Sequence, residues 1–351
     1  MTSESSQIRE TLLEYYRQSP MGKKNISISD VEDIGGGLMN QNYSFHLEYV
    51  KGNRKHSENL LIRIGRRKAD KMREFQTLEK LHSNSIPVAK VYDIGEDRHG
   101  SGFIIMEKVE GQGMFPGALM GMTETEQAEF WKQFSKNLAV IHMLDWERTG
   151  FEFLDPPDGK YGFAERWISM FREVVKYTEE SDPSQGEYSL PEQAISMLAE
   201  GAEQIRKLDL NPVLDWLEEN LPPSDQYVLI HGDYFLHNML IDGGKIVAIL
   251  DWETAQIGDA AYDMCNPALI LRMADPSGER SSVLLNAVLE HYQQMTGREL
   301  KNLDYYQILK SVFYLFVLVP RSSVLPEFGP RMTKTCADLI EEKTGLKVPL
   351  P

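Results

Sequence analysis

His231-Gly232-Asp233-Tyr234-Phe235-Leu236-His237-Asn238, followed by an apolar hairpin and then Asp251-Trp252, is the stretch whose reading decides the fold. Residues 228–230 ahead of it and 238–241 at its end read as short strands. Asp242-Gly243-Gly244 then turns the chain back into a strand over 246–250. That turn returns Asp251 to the side of Asn238. Asn and Asp oxygens suit Mg²⁺, a hard ion that also takes oxygens from a donor's phosphates. Phosphoryl transfer is mostly positioning and charge neutralisation. The spacing therefore assigns Asp233 to orient an acceptor hydroxyl and take its proton, and Asn238 and Asp251 to hold Mg²⁺. The competing reading is a set of turn-forming Asp and Asn residues. The coincidence of two carboxylates, an amide and a strand on either side disfavours it.

The Asp233–Asn238 separation is that of the kinase catalytic-loop pattern H-R-D-L-x-x-x-N. HGDxxxxN with its apolar hairpin and DW resembles the aminoglycoside phosphotransferase / choline kinase family, which is similar in fold to protein kinases. The resemblance runs on through Ile257-Gly258-Asp259-Ala260-Ala261-Tyr262-Asp263, similar to that family's GDPxxD, and more weakly through both lobes. Trp252 stands where protein kinases have the Phe of DFG, and Glu253 stands at the Gly. The resemblance implies an α+β, bilobal protein-kinase-like fold. A small antiparallel-sheet N-lobe with one main helix, over 1–109, would bind nucleotide. A larger, mostly helical C-lobe, over 110–351, would carry the catalytic loop and the acceptor site. His231 would brace the loop, His237 would be a bystander, and Asp259 and Asp263 would anchor the loop and the next helix through backbone hydrogen bonds.

On the donor side, Gly35-Gly36-Gly37-Leu38-Met39-Asn40-Gln41-Asn42 lies between two predicted strands. It is neither GxGxxG nor GxxxxGK[ST], so dinucleotide-fold and P-loop readings fail. It resembles the family's phosphate-covering loop, with Gly36, Gly37 and Asn40 as candidate contacts. A kinase-like site also wants a cation on the third strand. Leu60-Leu61-Ile62-Arg63-Ile64 offers Arg63 where many relatives have Lys, with Glu74 as its partner and Glu79 as the fallback. Arg66, Arg67 and Lys68 follow at once and leave the register open to a slip, and Lys68 or Lys71 is the substitute if Arg63 faces solvent. Phe103 to Val109 resembles the strand and hinge that meet a purine, through backbone groups of Glu107 and Val109, with Ile62 and Ile105 as pocket walls. ATP and GTP are both open as donor.

The acceptor is expected against the helix over 161–177, where Trp167, Phe171 and Tyr177 lie near Glu165, Glu179 and Glu180. Aromatics suit a quaternary ammonium or a macrocycle, and an acidic cluster suits an amine-bearing sugar. An ordinary core-facing amphipathic helix is the weightier alternative. The formal net charge of −16 repels nucleic acid and favours a cationic small molecule by steering, although it serves solubility equally well. Cys265 and Cys336 form no CxxC motif and read as reduced, semi-buried thiols of a cytoplasmic protein. The polar first ten residues carry no signal core, and no apolar run approaches a membrane span. The acceptor class stays open between antibiotics (aminoglycoside, macrolide) and metabolites (choline, homoserine, methylthioribose). A nucleotide-binding pseudokinase is the third alternative.

Periodicity predicts the remaining elements. Tyr43, Phe45, Leu47 and Tyr49 alternate on one strand face, and Gly52-Asn53 makes a hairpin turn. Residues 71–82 have helical spacing through Met72, Phe75, Leu78 and Leu81. Further helices are predicted over 123–144 and 190–208, and residues 257–347 read as helical with proline and glycine punctuation. Gly111 and Gly113 bound a linker.

Overall fold

A computed structural model describes residues 3–18, 22–35, 40–65, 67–115, 118–119, 121–179, 201–275, 277–321 and 325–351. Contacts divide the chain into two compact units. The first holds Met1–Gln133, Thr149–Leu154 and Leu236–Ala255; the second holds Phe134–Arg148, Asp155–Phe235 and Gln256–Pro351. The boundary expected after 109 thus falls inside the first unit. The reason is pairing: Gln112 and Gly113 form a short strand against Ile241 and Leu240, and the Ile249 N–H donates to the Pro87 carbonyl (2.7 Å). The supposed linker and the hairpin over residues 239–249 are both stitched to the strand-rich unit.

That unit is built on an antiparallel sheet in the order β1 (Lys23–Asp33), β2 (Gln41–Lys51), β3 (Arg54–Ile64), β5 (Gly102–Glu107), β4 (Val91–Glu96). Tyr43, Phe45, Leu47 and Tyr49 all face its core, as the alternation predicts. Lys51 pairs with Arg54 across a two-residue turn, and Gly52 takes the φ of +61° such a turn demands. The strand predicted over 60–64 extends back to Arg54, because residues 54–59 pair with β2 although their side chains are polar. A helix not foreseen in the sequence, α1 (Ser3–Gln18), lays Leu12 and Tyr16 into the same core. Each such burial is worth roughly 1.5–3 kcal/mol.

Between β3 and β4 runs α2 (Lys68–Ser83). Leu78 and Leu81 are buried as the spacing predicts, but in the first two turns Lys71 and Glu74 are buried, while Met72 is exposed and Phe75 half-buried. A charged pair occupies the buried face where the apolar pattern was expected.

The second unit is mostly helical. Only the second half of α3 (Glu124–His142) belongs to it; the helix starts, in the first unit, from a capping box in which the Thr123 N–H donates to Glu126 (2.8 Å) and the Glu126 N–H to Thr123 Oγ1 (3.3 Å). α4 (Gly162–Glu179), α5 (Ala202–Arg206) and α6 (Asn211–Glu219) come next. The helix predicted over 190–208 lies partly outside the described residues. Val228–Ile230 pairs antiparallel with Gln256–Gly258. Then come α7 (Ala260–Ala274), α8 (Glu279–Thr296), α9 (Leu303–Leu318) and α10 (Phe328–Thr344). α7 and α9 are buried over most of their surface, so polar side chains on them need partners. Cys265 and Cys336 are free and fully buried, deeper than the sequence reading supposed. Among the described residues, no helix is long and apolar enough to cross a membrane.

Candidate functional site

In the second unit, strand Val228–Ile230 delivers the chain to His231, and α7 supplies the groups that hold the next turn in place. Asp259 caps α7 by accepting from the Ala261 N–H (2.9 Å). Asp263, in the first turn and fully buried, accepts from the His231 and Gly232 N–H groups, each at 2.7 Å. Its Oδ2 also lies 3.2 Å from His142 Nε2. Gly232 has φ +82°, a turn that a side-chain-bearing residue enters only at a cost. The Asp233 N–H donates to His231 Nδ1 (3.2 Å), so His231 braces the loop through a ring nitrogen that must be unprotonated. Asp233 Oδ1 accepts from Asn266 Nδ2 (2.8 Å), and Asn266 Oδ1 accepts from the Tyr314 hydroxyl (2.9 Å). Asn266 was not singled out in the sequence. It sits three residues after Asp263, on the same face of α7.

In the first unit, Asn238 closes the 3₁₀ turn Leu236–Asn238 and is buried. Its carbonyl accepts from the Leu250 N–H (2.8 Å), which draws Asn238 and the entrance to Asp251 together across the hairpin. Asp251 lies in the left-handed region at φ +65°, ψ +59°, and keeps a quarter of its side chain exposed. Among the described residues, no group of three or more His, Cys, Asp or Glu could hold a metal alone. Mg²⁺ does not need one, since it takes one or two protein oxygens plus substrate phosphates and water. The Asn238 amide and the Asp251 carboxylate fit that donor set.

Arg63 is buried, on the strand position opposite Ile104. Its Nε lies 2.8 Å from Glu74 Oε1, an ion pair without hydrogen-bond alignment. Its Nη2 pairs with the Asp251 carboxylate and lies 3.7 Å from Glu253. Burial alone would lower the guanidinium's proton affinity, but Glu74, Asp251 and Glu253 outweigh it and hold it above its ordinary value. The partner is therefore Glu74, while Glu79 is exposed. Lys71 adds a second cation on Glu74, Nζ to Oε2 2.5 Å.

Asn40 Nδ2 donates to Glu253 Oε2 (2.7 Å). Burial, then the neighbouring Asp251 charge, raises the Glu253 carboxyl above its usual range. Glu253 thus ties the segment after the glycine run to the segment after Asp251. Gly36 and Gly37 lie outside the described residues. The Glu107 N–H donates to the Lys90 carbonyl (2.8 Å), and Val109 is half-buried just beyond. Ile62 and Ile105, expected as pocket walls, face each other within the sheet's own core instead.

On α4, Phe171 and Tyr177 are buried, as the core reading required. Trp167 is half-buried and stacks on Tyr262, with ring centroids 5.3 Å apart. No acidic cluster forms there among the described residues. Glu179 accepts from Asn211 (3.2 Å), Glu165 is exposed, and Arg172 neutralises Asp215 and Glu218 at 2.5 and 2.9 Å. Glu180 lies outside the described residues.

A family model described as the phosphotransferase enzyme family matches residues 30–299. Acyl-CoA dehydrogenase family member 11 of Mus musculus is 27% identical over 202 residues, 56% of this chain and 22% of that protein, so this chain spans a minor part of its length. Hygromycin-B 4-O-kinase of Escherichia coli is 23% identical over 185 residues, 52% of this chain and 48% of that one. A putative aminoglycoside phosphotransferase of Ralstonia eutropha superposes with a TM-score of 0.65 at 21% identity over 95% of both chains. A thermostable mutant of aminoglycoside phosphotransferase APH(4)-Ia, in ternary complex with ADP and hygromycin B, superposes with a TM-score of 0.55 at 16% identity, covering 97% of this chain and 99% of that one. These structures share the α+β, protein-kinase-like fold that the sequence predicts.

Proposed function

The chain belongs to the phosphotransferase enzyme family, and from that premise we propose that it is a small-molecule kinase. It transfers the γ-phosphoryl of ATP or GTP to a hydroxyl of a small acceptor. The observation that carries this reading is the fixing of Asp233: its carboxylate is aimed by Asn266 and its loop is clamped through two amides by Asp263. A carboxylate held so firmly suits a group that must meet one hydroxyl in one orientation.

The acceptor oxygen attacks the γ-phosphorus, its proton passes to Asp233, and the bond to the bridging oxygen breaks to release the nucleoside diphosphate. Asn238 and Asp251 would hold Mg²⁺, which neutralises charge on the donor phosphates when bound. Arg63, kept charged and in place by Glu74, grips the phosphates as a planar fork where a Lys would act as a point charge. Asn40, with Gly36 and Gly37, covers them. The Glu107 carbonyl and the Val109 backbone meet the base, since the Glu107 N–H already serves Lys90. The reaction is assigned to the cytoplasm, where nucleoside triphosphate is supplied and thiols stay reduced.

An antibiotic-type acceptor is supported by likeness to a hygromycin-B kinase. A metabolite acceptor is the second reading. The deciding experiment is an ATP-consumption screen over hygromycin B, other aminoglycosides, macrolides, choline and hydroxyacyl compounds, with Asp233→Ala as control. Turnover is expected with one class and is lost in the control, while nucleotide binding persists. Tight nucleotide binding with no turnover on any acceptor would favour a pseudokinase.

A further inference from the structure

Lys310 is a lysine in the interior, 2% exposed, on the buried helix α9. Its Nζ donates to the Gly232 carbonyl (2.6 Å) and to the Tyr262 hydroxyl (3.3 Å), and lies 4.4 Å from the Tyr262 ring centroid and 4.8 Å from that of Phe313. A desolvated ammonium is costly and persists only where fixed dipoles and ring faces replace water. Packing alone would be served by a methionine. The site of its strongest contact points to its role.

The Gly232 carbonyl belongs to the peptide that enters Asp233. Lys310 holds that peptide by its oxygen, and His231 Nδ1 holds it by the Asp233 N–H. One helical turn beyond Lys310, Tyr314 holds Asn266, which holds the Asp233 carboxylate. Side chains at i and i+4 share a helix face, so α9 fixes the main chain and the side chain of Asp233 together. Burial lowers the proton affinity of Lys310 and the Asp233 charge opposes that effect, so the two charges act on each other.

We infer that Lys310 is a positioning residue for phosphoryl transfer, acting through the Gly232 carbonyl to fix where Asp233 stands. This rests on the reading of Asp233 as the acceptor-side base. The probe is Mg·ATP with water as acceptor, because the natural acceptor is unidentified. In Lys310→Met, kcat falls at least about tenfold while KM for Mg·ATP stays within about twofold. Lys310→Gln, which keeps a donor without the charge, recovers part of kcat. Amide hydrogen exchange at Gly232 and Asp233 quickens in Lys310→Met, whereas exchange across the β1–β5 sheet does not. A purely structural lysine would lower stability without this kcat-against-KM split. Wild-type kcat in folded Lys310→Met, or unchanged exchange at Gly232 and Asp233, would overturn the inference. If Lys310→Met does not fold, Lys310→Gln decides: wild-type kcat and exchange there would overturn it equally. Quickened exchange in a protein whose wild type turns over nucleotide neither with water nor with any acceptor of the screen above would keep the positioning of the loop and sink the kinase reading instead.

Discussion

Lys71 Nζ lies 2.5 Å from Glu74 Oε2, both side chains 3% exposed, on the face of α2 that a simple helix would fill with apolar residues. Arg63 approaches the other carboxylate oxygen. One carboxylate therefore touches two buried cations, and it shares Arg63 with Asp251 and Glu253. Removing one partner of a buried ion pair costs about 3–5 kcal/mol, because the other charge is left behind. Glu74→Gln is expected to lose about that much in urea unfolding. Adding Lys71→Met should return part of the loss, since the two sites share one interaction. A loss below about 1 kcal/mol in Glu74→Gln would show the pair to be superficial.

Asp251→Ala should weaken Mg²⁺-dependent nucleotide binding by at least about tenfold in calorimetry, the scale on which metal-site groups act. Nucleotide binding without Mg²⁺ should change less. Arg63 keeps Glu74 and Glu253 in this variant, so its own placement survives. Equal Mg·ATP affinity in wild type and variant would remove Asp251 from the metal's donor set.

Asn266→Ala deletes the donor that aims Asp233 and leaves the Tyr314 hydroxyl without its acceptor. A misplacement of about 1 Å can cost about a hundredfold in rate. The expectation is a kcat about tenfold to a hundredfold lower at unchanged KM for nucleotide. A kcat within about twofold of wild type would mean that the main-chain clamp alone orients Asp233.

Lys310 gives a pH signature. Its folded proton affinity lies below the ordinary value of 10.5 because burial penalises the charge. Below the folded value both states carry the proton. Between the folded value and 10.5, the unfolded chain binds more protons than the native one, so stability rises with pH across that window. Wild type should therefore gain on Lys310→Met as pH approaches 10.5 in matched denaturant titrations. Parallel curves across the alkaline range would contradict this.

The strand, turn, strand form of residues 228–251 was legible because its signal is local. Asp233, Asn238 and Asp251 sit at fixed separations inside a strand, turn, strand pattern, and β2 shows a clean alternation. Strand β1 was half hidden, because register shifts after Lys24 and Ser29 interrupt the alternation that reveals a strand. Helix α1 is polar on most faces and shows only Leu12 and Tyr16 as deeply buried. In α2 the first buried turns carry Lys71 and Glu74, so hydrophobic spacing found Leu78 and Leu81 but put Met72 and Phe75 in their place. Asn266 and Lys310 reach the loop from 33 and 78 residues away. Contacts of that range leave no periodic trace in a single sequence.

Asp251 takes a backbone conformation that glycine enters freely and a residue with a Cβ enters at a cost of order 1–3 kcal/mol. Substituting Gly there would relax the backbone and delete the carboxylate in one step. The relaxed backbone would be set against the loss of a carboxylate that pairs with the buried Arg63. Any engineering of this chain for stability must hold position 251 fixed and screen for activity, because both the ion pair with Arg63 and the proposed donor-side role depend on the acid there.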